Sequence, residues 1–161
     1  MKNWDKERVV KILFFLYLLV LIKVIIFKYP FSYLEEIMDT WEKGVVLEGL
    51  KQANFTPLKT IKMYIRYYDR LNSFENLFGN VIAFVPLGIL LPLVHEKSKN
   101  FFVLLCNTFL LILGIELFQL YSAFGAFDVD DIILNMAGAI IGYVMIYSML
   151  LYGKWKKQEK R

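Results

Sequence analysis

The stretch GIELFQLYSAFGAFDVDDIILNMAGAIIG, residues 114–142, joins two long apolar segments and places polar side chains at their facing ends. These polar residues are Glu116, Gln119, Asp128, Asp130, Asp131 and Asn135. A carboxylate costs roughly 2.5–3.5 kcal/mol at the centre of a spanning helix, so acids beside such segments indicate a functional site. With 3.6 residues per turn, Glu116 and Gln119 share one helix face. A second stripe runs through Asp128, Asp131, Asn135, Gly138 and Gly142. The sequence therefore predicts two facing polar stripes.

The composition indicates a membrane protein. Of the 161 residues, 58% are hydrophobic and 17% are aromatic, and the mean hydropathy is +0.49. An average soluble domain has about 45–50% apolar residues, and here the excess lies in long blocks. The net charge is +4, and basic residues gather at the chain ends. Because no nucleic-acid-binding module is present, we interpret these charges as signals for membrane orientation and exclude nucleic acid as a partner.

The blocks predict an all-α membrane protein with a single domain over residues 1–161. We expect four transmembrane helices at 9–27, 76–94, 101–121 and 132–152. An outer segment at 28–75 would contain an amphipathic, interfacial helix, with Thr56 as its N-cap and Pro57 in its first turn. A basic tail would follow at 153–161. The first helix is read as retained, since no small-residue cleavage site follows it.

The basic residues also predict an orientation. The N-terminus, the 95–100 turn and the tail carry Lys and Arg, whereas the 122–127 loop carries none. Positive loops stay on the cytoplasmic side, so both termini should be cytoplasmic and the acidic stripe should lie at the outer face. Cys106 is the single cysteine and His95 the single histidine. We expect Cys106 to be a small buried residue and His95 to be solvated in its loop.

Several chemistries would suit the acidic stripe. Carboxylates could bind a divalent cation, since hard cations prefer oxygen ligands. A close carboxylate pair could act as acid and base, or the acids could bind the amines of a lipid or drug. The simplest alternative is that Asp128, Asp130 and Asp131 only cap a helix that begins there. One capping aspartate accounts for one acid, but not for three acids that face a glutamate.

Four patterns in order resemble the VanZ family of bacterial membrane proteins: FTPLKTI at 55–61, NLFGNVIAFVPLGILLP at 76–92, GIELFQL at 114–120 and FDVDDIILNMAGAIIGY at 127–143. The resemblance maps the family's recurring polar and glycine positions onto Asn80, Pro86, Gly88, Glu116, Gln119, Asp128, Asp131, Asn135, Gly138 and Gly142. Many members have an arginine shortly before the aspartates, whereas this chain has Gly125-Ala126. Lys59, Arg66 or Arg70 could replace it.

The resemblance implies a multi-pass protein of the bacterial plasma membrane, linked in Gram-positive bacteria to low-level teicoplanin resistance or to envelope maintenance. We expect a protein without a defined enzymatic activity and without a cofactor, although a divalent cation at the acidic cluster is an open alternative. Its partners would be membrane lipids and a lipid-linked cell-wall precursor or lipoglycopeptide, and a homo-oligomer is open as well.

The expected ligand-binding residues are Asn80, Glu116, Gln119, Asp128, Asp131 and Asn135. One alternative is an intramembrane enzyme that acts on a lipid or lipid-linked sugar, with Glu116, Asp128 and Asp131 as catalytic candidates. The other is a structural or assembly partner.

Overall fold

The computed structural model describes residues 3–26, 35, 45–68, 73–122 and 125–158. Within these ranges the regular elements are helices: α1 (Asn3–Ile26), α2 (Val45–Gln52), α3 (Lys59–Arg66), α4 (Ser73–Val94), α5 (Phe101–Ser122) and α6 (Val129–Gln158). A short 3-10 turn, Glu96–Lys99, connects α4 to α5. The predicted all-α class is therefore confirmed for the described part of the chain. Much of the predicted interfacial segment, 28–75, lies outside these ranges.

Three helices of the described part are long and apolar enough to cross a membrane. They cover Glu75–Val94, Phe101–Ser122 and Val129–Tyr152, which match the predicted spans 76–94, 101–121 and 132–152 to within three residues. The last helix begins earlier than expected and continues through most of the predicted tail, to Gln158. Large apolar side chains such as Phe102 and Leu110 are exposed on these helices, as expected for surfaces that face lipid.

Helices α4 and α6 are in direct backbone contact. A Cβ atom added at Gly88 would lie 1.9 Å from the carbonyl oxygen of Ala139. One added at Gly138 would lie 2.0 Å from the carbonyl oxygen of Val81, and Gly142 makes a third contact of this kind. Small residues allow spanning helices to approach this closely, and close approach replaces the hydrophobic effect that lipid does not supply. The glycines therefore fix how α4 and α6 pack.

The apolar core joins α1, α4 and α5. Its buried residues are Leu21, Phe84, Leu87 and Ile112. The Tyr17 hydroxyl of α1 donates a hydrogen bond of 2.9 Å to the Ala83 carbonyl of α4. These contacts hold α1 against the α4–α6 pair.

The buried face of α5 follows a regular spacing of four residues: Leu104, Thr108, Ile112, Glu116 and Leu120. This row brings Glu116 into the interior. Cys106 lies on another side of the helix and is exposed, so the prediction of a buried cysteine was wrong. The helical period explains the error, because Cys106 is two residues from both Leu104 and Thr108, about 200° around the helix axis.

The start of α3 differs from the prediction. The helix begins at Lys59, and its N-cap is Leu58, which has a φ of 64° in the left-handed region and no side-chain capping hydrogen bond. Thr56 and Pro57 therefore do not occupy the predicted N-cap and first-turn positions. Instead, the Thr56 amide donates to the side-chain oxygen of Asn54, 3.0 Å away, in a local turn. A leucine with this φ needs support from elsewhere in the structure.

That support comes from Asp130 in the first turn of α6. Its carboxylate is fully buried. One carboxylate oxygen accepts a hydrogen bond from the Leu58 amide. The other accepts from the amides of Thr60 at 2.7 Å and Ile61 at 3.1 Å. Free amides at a helix start need acceptors, and an anion there also favours the helix dipole. Asp130 is therefore the cap of α3, supplied by another helix.

Asn54 connects the segment before α3 to the residues at the start of α6 through hydrogen bonds. Its amide donates to the Phe127 carbonyl at 2.8 Å, and its carbonyl accepts from the Val129 amide at 3.0 Å. Its side-chain amide nitrogen donates to Asp128 at 2.8 Å and to the Thr60 hydroxyl at 3.0 Å. The segment before α3 is thus held to the beginning of α6 by main-chain and side-chain hydrogen bonds.

The turn between α4 and α5 has its own network. The Nδ1 atom of His95 lies 2.9 Å from the hydroxyl oxygen of Ser98, which also accepts a hydrogen bond of 3.1 Å from Asn107. His95 itself is exposed, as predicted. In this turn, a hydrogen bond from Lys99 and its positive charge lower the pKa of Glu96.

We predict that Gly138→Ala destabilises the protein strongly, because the new methyl group would meet backbone that cannot move aside. Overpacking of this kind typically costs about 1–3 kcal/mol. Thermal unfolding of the purified chain in detergent should show a clear decrease in Tm. Gly114→Ala is the matched control, since a Cβ there meets nothing within 4 Å. Equal Tm values for the two variants would contradict the direct α4–α6 contact.

We predict that Asp130→Asn loosens α3. Hydrogen bonds to a charged acceptor contribute about 1.5–3 kcal/mol, against about 0.5–1.5 kcal/mol for neutral pairs, and the new side-chain NH₂ group would oppose an amide donor. Hydrogen–deuterium exchange of the full chain should become faster at residues 59–63 and remain unchanged at 81–88. Glu75→Gln, at an exposed carboxylate, is the control. Unchanged exchange at residues 59–63 would exclude Asp130 as the cap.

Candidate functional site

A cavity of about 440 Å³ lies between α1, α4, α5 and α6. We call it the inner cavity. Its polar lining consists of Glu75, Asn76, Asn80, Glu116, Gln119, Asp131 and Asn135, and its apolar lining includes Val24, Ile25, Phe84 and Ile115. Ligand pockets usually combine apolar walls with a few placed polar groups. Glu75, Glu116 and Asp131 contribute carboxylates to this cavity, and no Lys or Arg of the described residues lines it.

A second cavity, of about 330 Å³, lies between the 52–64 segment and the start of α6. We call it the outer cavity, and its polar lining includes Asn54, Lys59, Thr60 and Asp128. The two cavities are neighbours, because Asn76, Gln119 and Asp131 line both. Together they form one polar region that extends from the bundle interior to the 52–64 segment.

Glu116 is the most deeply placed carboxylate of the inner cavity. It is 2% exposed because it belongs to the buried row of α5. One of its oxygens accepts a hydrogen bond of 3.0 Å from the main-chain amide of Asp128. This contact ties the C-terminal part of α5 to the beginning of α6.

Asp131 lies at the boundary between the cavities. Its carboxylate accepts a hydrogen bond of 2.6 Å from the side-chain amide of Asn80. The α4–α6 contact places this pair, since Asn80 precedes Val81 and Asp131 is about two turns before Gly138 on α6. The glycine packing therefore determines the position of a carboxylate at the site.

Asn135 brings an unsatisfied polar atom to the inner cavity. The residue is 5% exposed, and its side-chain oxygen is buried without a hydrogen-bond partner among the described residues. A buried amide oxygen without a donor costs about 1–3 kcal/mol. Such groups are rare in folded proteins and call for an explanation. A donor on a bound molecule would supply one.

Asp128 has a different environment from the other predicted site residues. It accepts hydrogen bonds from the Asp130 amide at 2.8 Å and from the Thr60 hydroxyl at 2.6 Å. The first is the N-cap hydrogen bond of α6 itself. Asn54 also donates to this carboxylate. Asp128 lines the outer cavity and not the inner one.

The structure thus brings together five of the six predicted ligand-binding residues at the inner cavity: Asn80, Glu116, Gln119, Asp131 and Asn135. Capping accounts for the side chains of Asp128 and Asp130. Asp130 does not cap its own helix, as the simplest alternative supposed, but α3. No three or more His, Cys, Asp or Glu side chains of the described residues form a group that could hold a metal ion.

Asn54 and Thr60 hold the rim of the outer cavity, and neither residue is among the predicted site residues. Both residues lie in or next to the FTPLKTI pattern, which the sequence analysis interprets only as the start of a local helix. Lys59, one of the three suggested replacements for an arginine, lines the outer cavity. Arg66 is exposed at the end of α3 and does not line it, and Arg70 lies outside the described residues.

The family model described as VanZ/LLP1 matches residues 14–152. Among curated proteins, a similar relative is Protein VanZ from Enterococcus faecium, with 29% identity over 127 residues. The match covers 79% of this chain and 66% of the relative, slightly less than two thirds of its length. No solved structure matches significantly. The chain belongs to the VanZ/LLP1 family.

Proposed function

We propose that this chain is a single-domain, multi-pass protein of the bacterial plasma membrane that binds a lipid-linked envelope component or a lipoglycopeptide at its outer face. The inner cavity would be the binding site. Glu116 and Asp131 would supply negative charge, with Asn80, Gln119 and Asn135 as oriented hydrogen-bond partners. Asp128 would act at the rim, where its carboxylate holds the 54–60 segment.

The topology is part of this proposal. Helix α1 would be the fourth span, since its 24 residues reach about 36 Å at 1.5 Å per residue. The 28–75 segment would lie at the outer interface. On α3 and just beyond it, Ile65 and Tyr68 are largely exposed, while Lys62 and Arg66 supply positive charge. This combination suits a helix at the membrane surface. Both termini would then be cytoplasmic.

The observation that carries the proposal is that Glu116 and Asn135 both line the inner cavity. Both residues are at least 95% buried, and burying a carboxylate and an unpaired amide oxygen is costly. Stability alone does not explain why both line an open volume of about 440 Å³. A ligand with donor groups would satisfy the side-chain oxygen of Asn135.

Membership of the VanZ/LLP1 family supports a role in the cell envelope. The relative in Enterococcus faecium carries the name VanZ, and the family resemblance connects that name with teicoplanin resistance. Teicoplanin carries a fatty-acyl tail that vancomycin lacks, so a cavity inside a membrane bundle suits it. We therefore propose a role in lipoglycopeptide tolerance or envelope maintenance.

An enzymatic role is the second candidate, because Glu116 and Asp131 line the same cavity. Such a pair could serve as acid and base on a lipid or lipid-linked sugar, with or without a divalent cation. The structural alternative, an assembly partner, is favoured only by the capping roles of Asp128 and Asp130. A homo-oligomer is compatible with each of these roles.

We predict that wild-type protein, expressed in a sensitive Gram-positive host, raises the minimum inhibitory concentration of teicoplanin and not that of vancomycin. Glu116→Gln and Asp131→Asn should each remove most of this shift at equal membrane abundance, because each removes a charge from the inner cavity. Glu96→Gln, at an exposed carboxylate that lines neither cavity, is the control and should retain the shift.

The outcomes separate the candidates. A teicoplanin shift that survives both substitutions would contradict the proposed site. Complete loss at one carboxylate, together with product formation from membrane lipid or sensitivity to a chelator, would favour the enzyme. Loss of function that always follows loss of folded protein would favour the structural role.

A further inference from the structure

A shallow groove of about 600 Å³ lies where α3 meets the first turns of α4 and α6. The described residues that line it are apolar or aromatic: Ile65, Tyr68, Leu77, Phe78, Val81 and Leu134. Val81 is about 9 Å along the helix axis from Glu75, where the spanning part of α4 begins. The groove therefore extends from the level of α3 into the first two turns of the span.

Positive charge borders this groove on α3. Lys59, Lys62 and Arg66 follow the spacing i, i+3, i+7, so they form one stripe along the helix. We call it the basic stripe. All three residues are exposed, and Lys62 is the i−3 neighbour of Ile65, which lines the groove.

The described part of the chain does not neutralise the basic stripe. Residues 59–68 contain no Asp or Glu. Neither Lys62 nor Arg66 has a hydrogen bond or an ion pair with a described residue. No acidic residue of the described chain lines the groove. An anion that approaches the stripe from the groove therefore meets positive charge that the described chain leaves without a partner.

The groove and the basic stripe together match the two parts of a phospholipid. The groove offers an apolar surface to the upper part of an acyl chain, and the stripe offers cations to its head group. Basic residues at a membrane surface attract anionic lipids, and a basic amphipathic helix binds membranes in this way. A zwitterionic lipid has the same chain but no net charge, so the stripe discriminates between the two kinds of lipid.

We infer that the groove and the basic stripe bind an anionic phospholipid, with one acyl chain in the groove and the phosphate beside Lys62 and Arg66. The inference rests on the position of α3 at the outer interface, which belongs to the proposed function. It adds a lipid site outside the two cavities. Lys59 and Met63 of the same helix line the outer cavity, so the bound lipid also steadies one wall of that cavity.

The test uses the full-length protein in phosphatidylcholine nanodiscs that contain a trace of photoactivatable lipid. The probe is phosphatidylglycerol or phosphatidylcholine with a diazirine in the first third of one acyl chain. After illumination, cross-linked peptides are mapped by mass spectrometry. We expect phosphatidylglycerol to label residues 77–81 and Leu134 roughly fivefold more than phosphatidylcholine does. High salt should reduce this preference, since it screens exposed charges.

Two double variants make the test specific. Lys62→Gln with Arg66→Gln should reduce labelling of the groove by phosphatidylglycerol to the level of phosphatidylcholine. Lys97→Gln with Lys99→Gln removes the same charge from the turn that follows α4, and it should leave labelling of the groove unchanged. All four side chains are exposed, so both variants should retain the Tm of wild type.

Three results would overturn the inference. The first is equal labelling of the groove by the two lipids in wild type. The second is a preference for phosphatidylglycerol that persists in the Lys62→Gln, Arg66→Gln variant. The third is displacement of the probe by glycerol phosphate, which has the charge without the chain and would indicate a site for a free phosphate.

The inference and the proposed function fail in different ways. If the lipid preference is absent but Glu116→Gln still removes a teicoplanin shift, the inference is wrong and the inner cavity stands as the proposed site. If the preference is present but wild type gives no teicoplanin shift, the lipid site stands and the proposed role in tolerance is wrong.

Discussion

The direct contact between the backbones of α4 and α6 is the constraint on which the rest of the structure depends. The hydrophobic effect does not drive apolar helices together in lipid. Close packing at the glycines must therefore hold α4 and α6 together. The contact of Gly138 with Val81 fixes the rotation of both helices. Asn80 then meets Asp131, and Asn135 faces the volume between α4 and α5. The packing of α4 against α6 thereby places Asp131 and Asn135 of α6 at the inner cavity.

Of the three aspartates at the start of α6, two act as helix caps and one lines the inner cavity. Asp130 caps α3 and Asp128 caps α6 while it holds Asn54 and Thr60. Only Asp131 reaches the inner cavity, where it joins Glu116. This division explains why an acidic cluster can be both a capping arrangement and the edge of a site. Asp128 and Asp130 act as caps, whereas Glu116 and Asp131 line the inner cavity, so the functional hypothesis concerns Glu116 and Asp131.

Much of this arrangement could be predicted from the sequence, because it depends on local periodicity. The long apolar blocks predict the spanning helices. The helical spacing of Asp131, Asn135 and Gly138 predicts that these residues share one face of α6. The cap of α3 could not be predicted in this way: its acceptor, Asp130, is about seventy residues away along the chain, so Thr56 was assigned in its place. Cys106 was misplaced because an apolar neighbourhood in the sequence does not distinguish an interior from a lipid-facing side.

We propose that the inner cavity is negatively charged and accessible to water from the outer face. Asn76 lines both cavities, so Asn76→Cys in a Cys106→Ser background reports on it directly. Intact cells would be treated with cationic and anionic membrane-impermeant thiol reagents, with rates normalised to Phe55→Cys, at an exposed residue before α3. One carboxylate at about 4 Å contributes about 1 kcal/mol in water, so the cationic reagent should react roughly fivefold faster or more. Equal rates, or labelling only after the cells are permeabilised, would contradict the account.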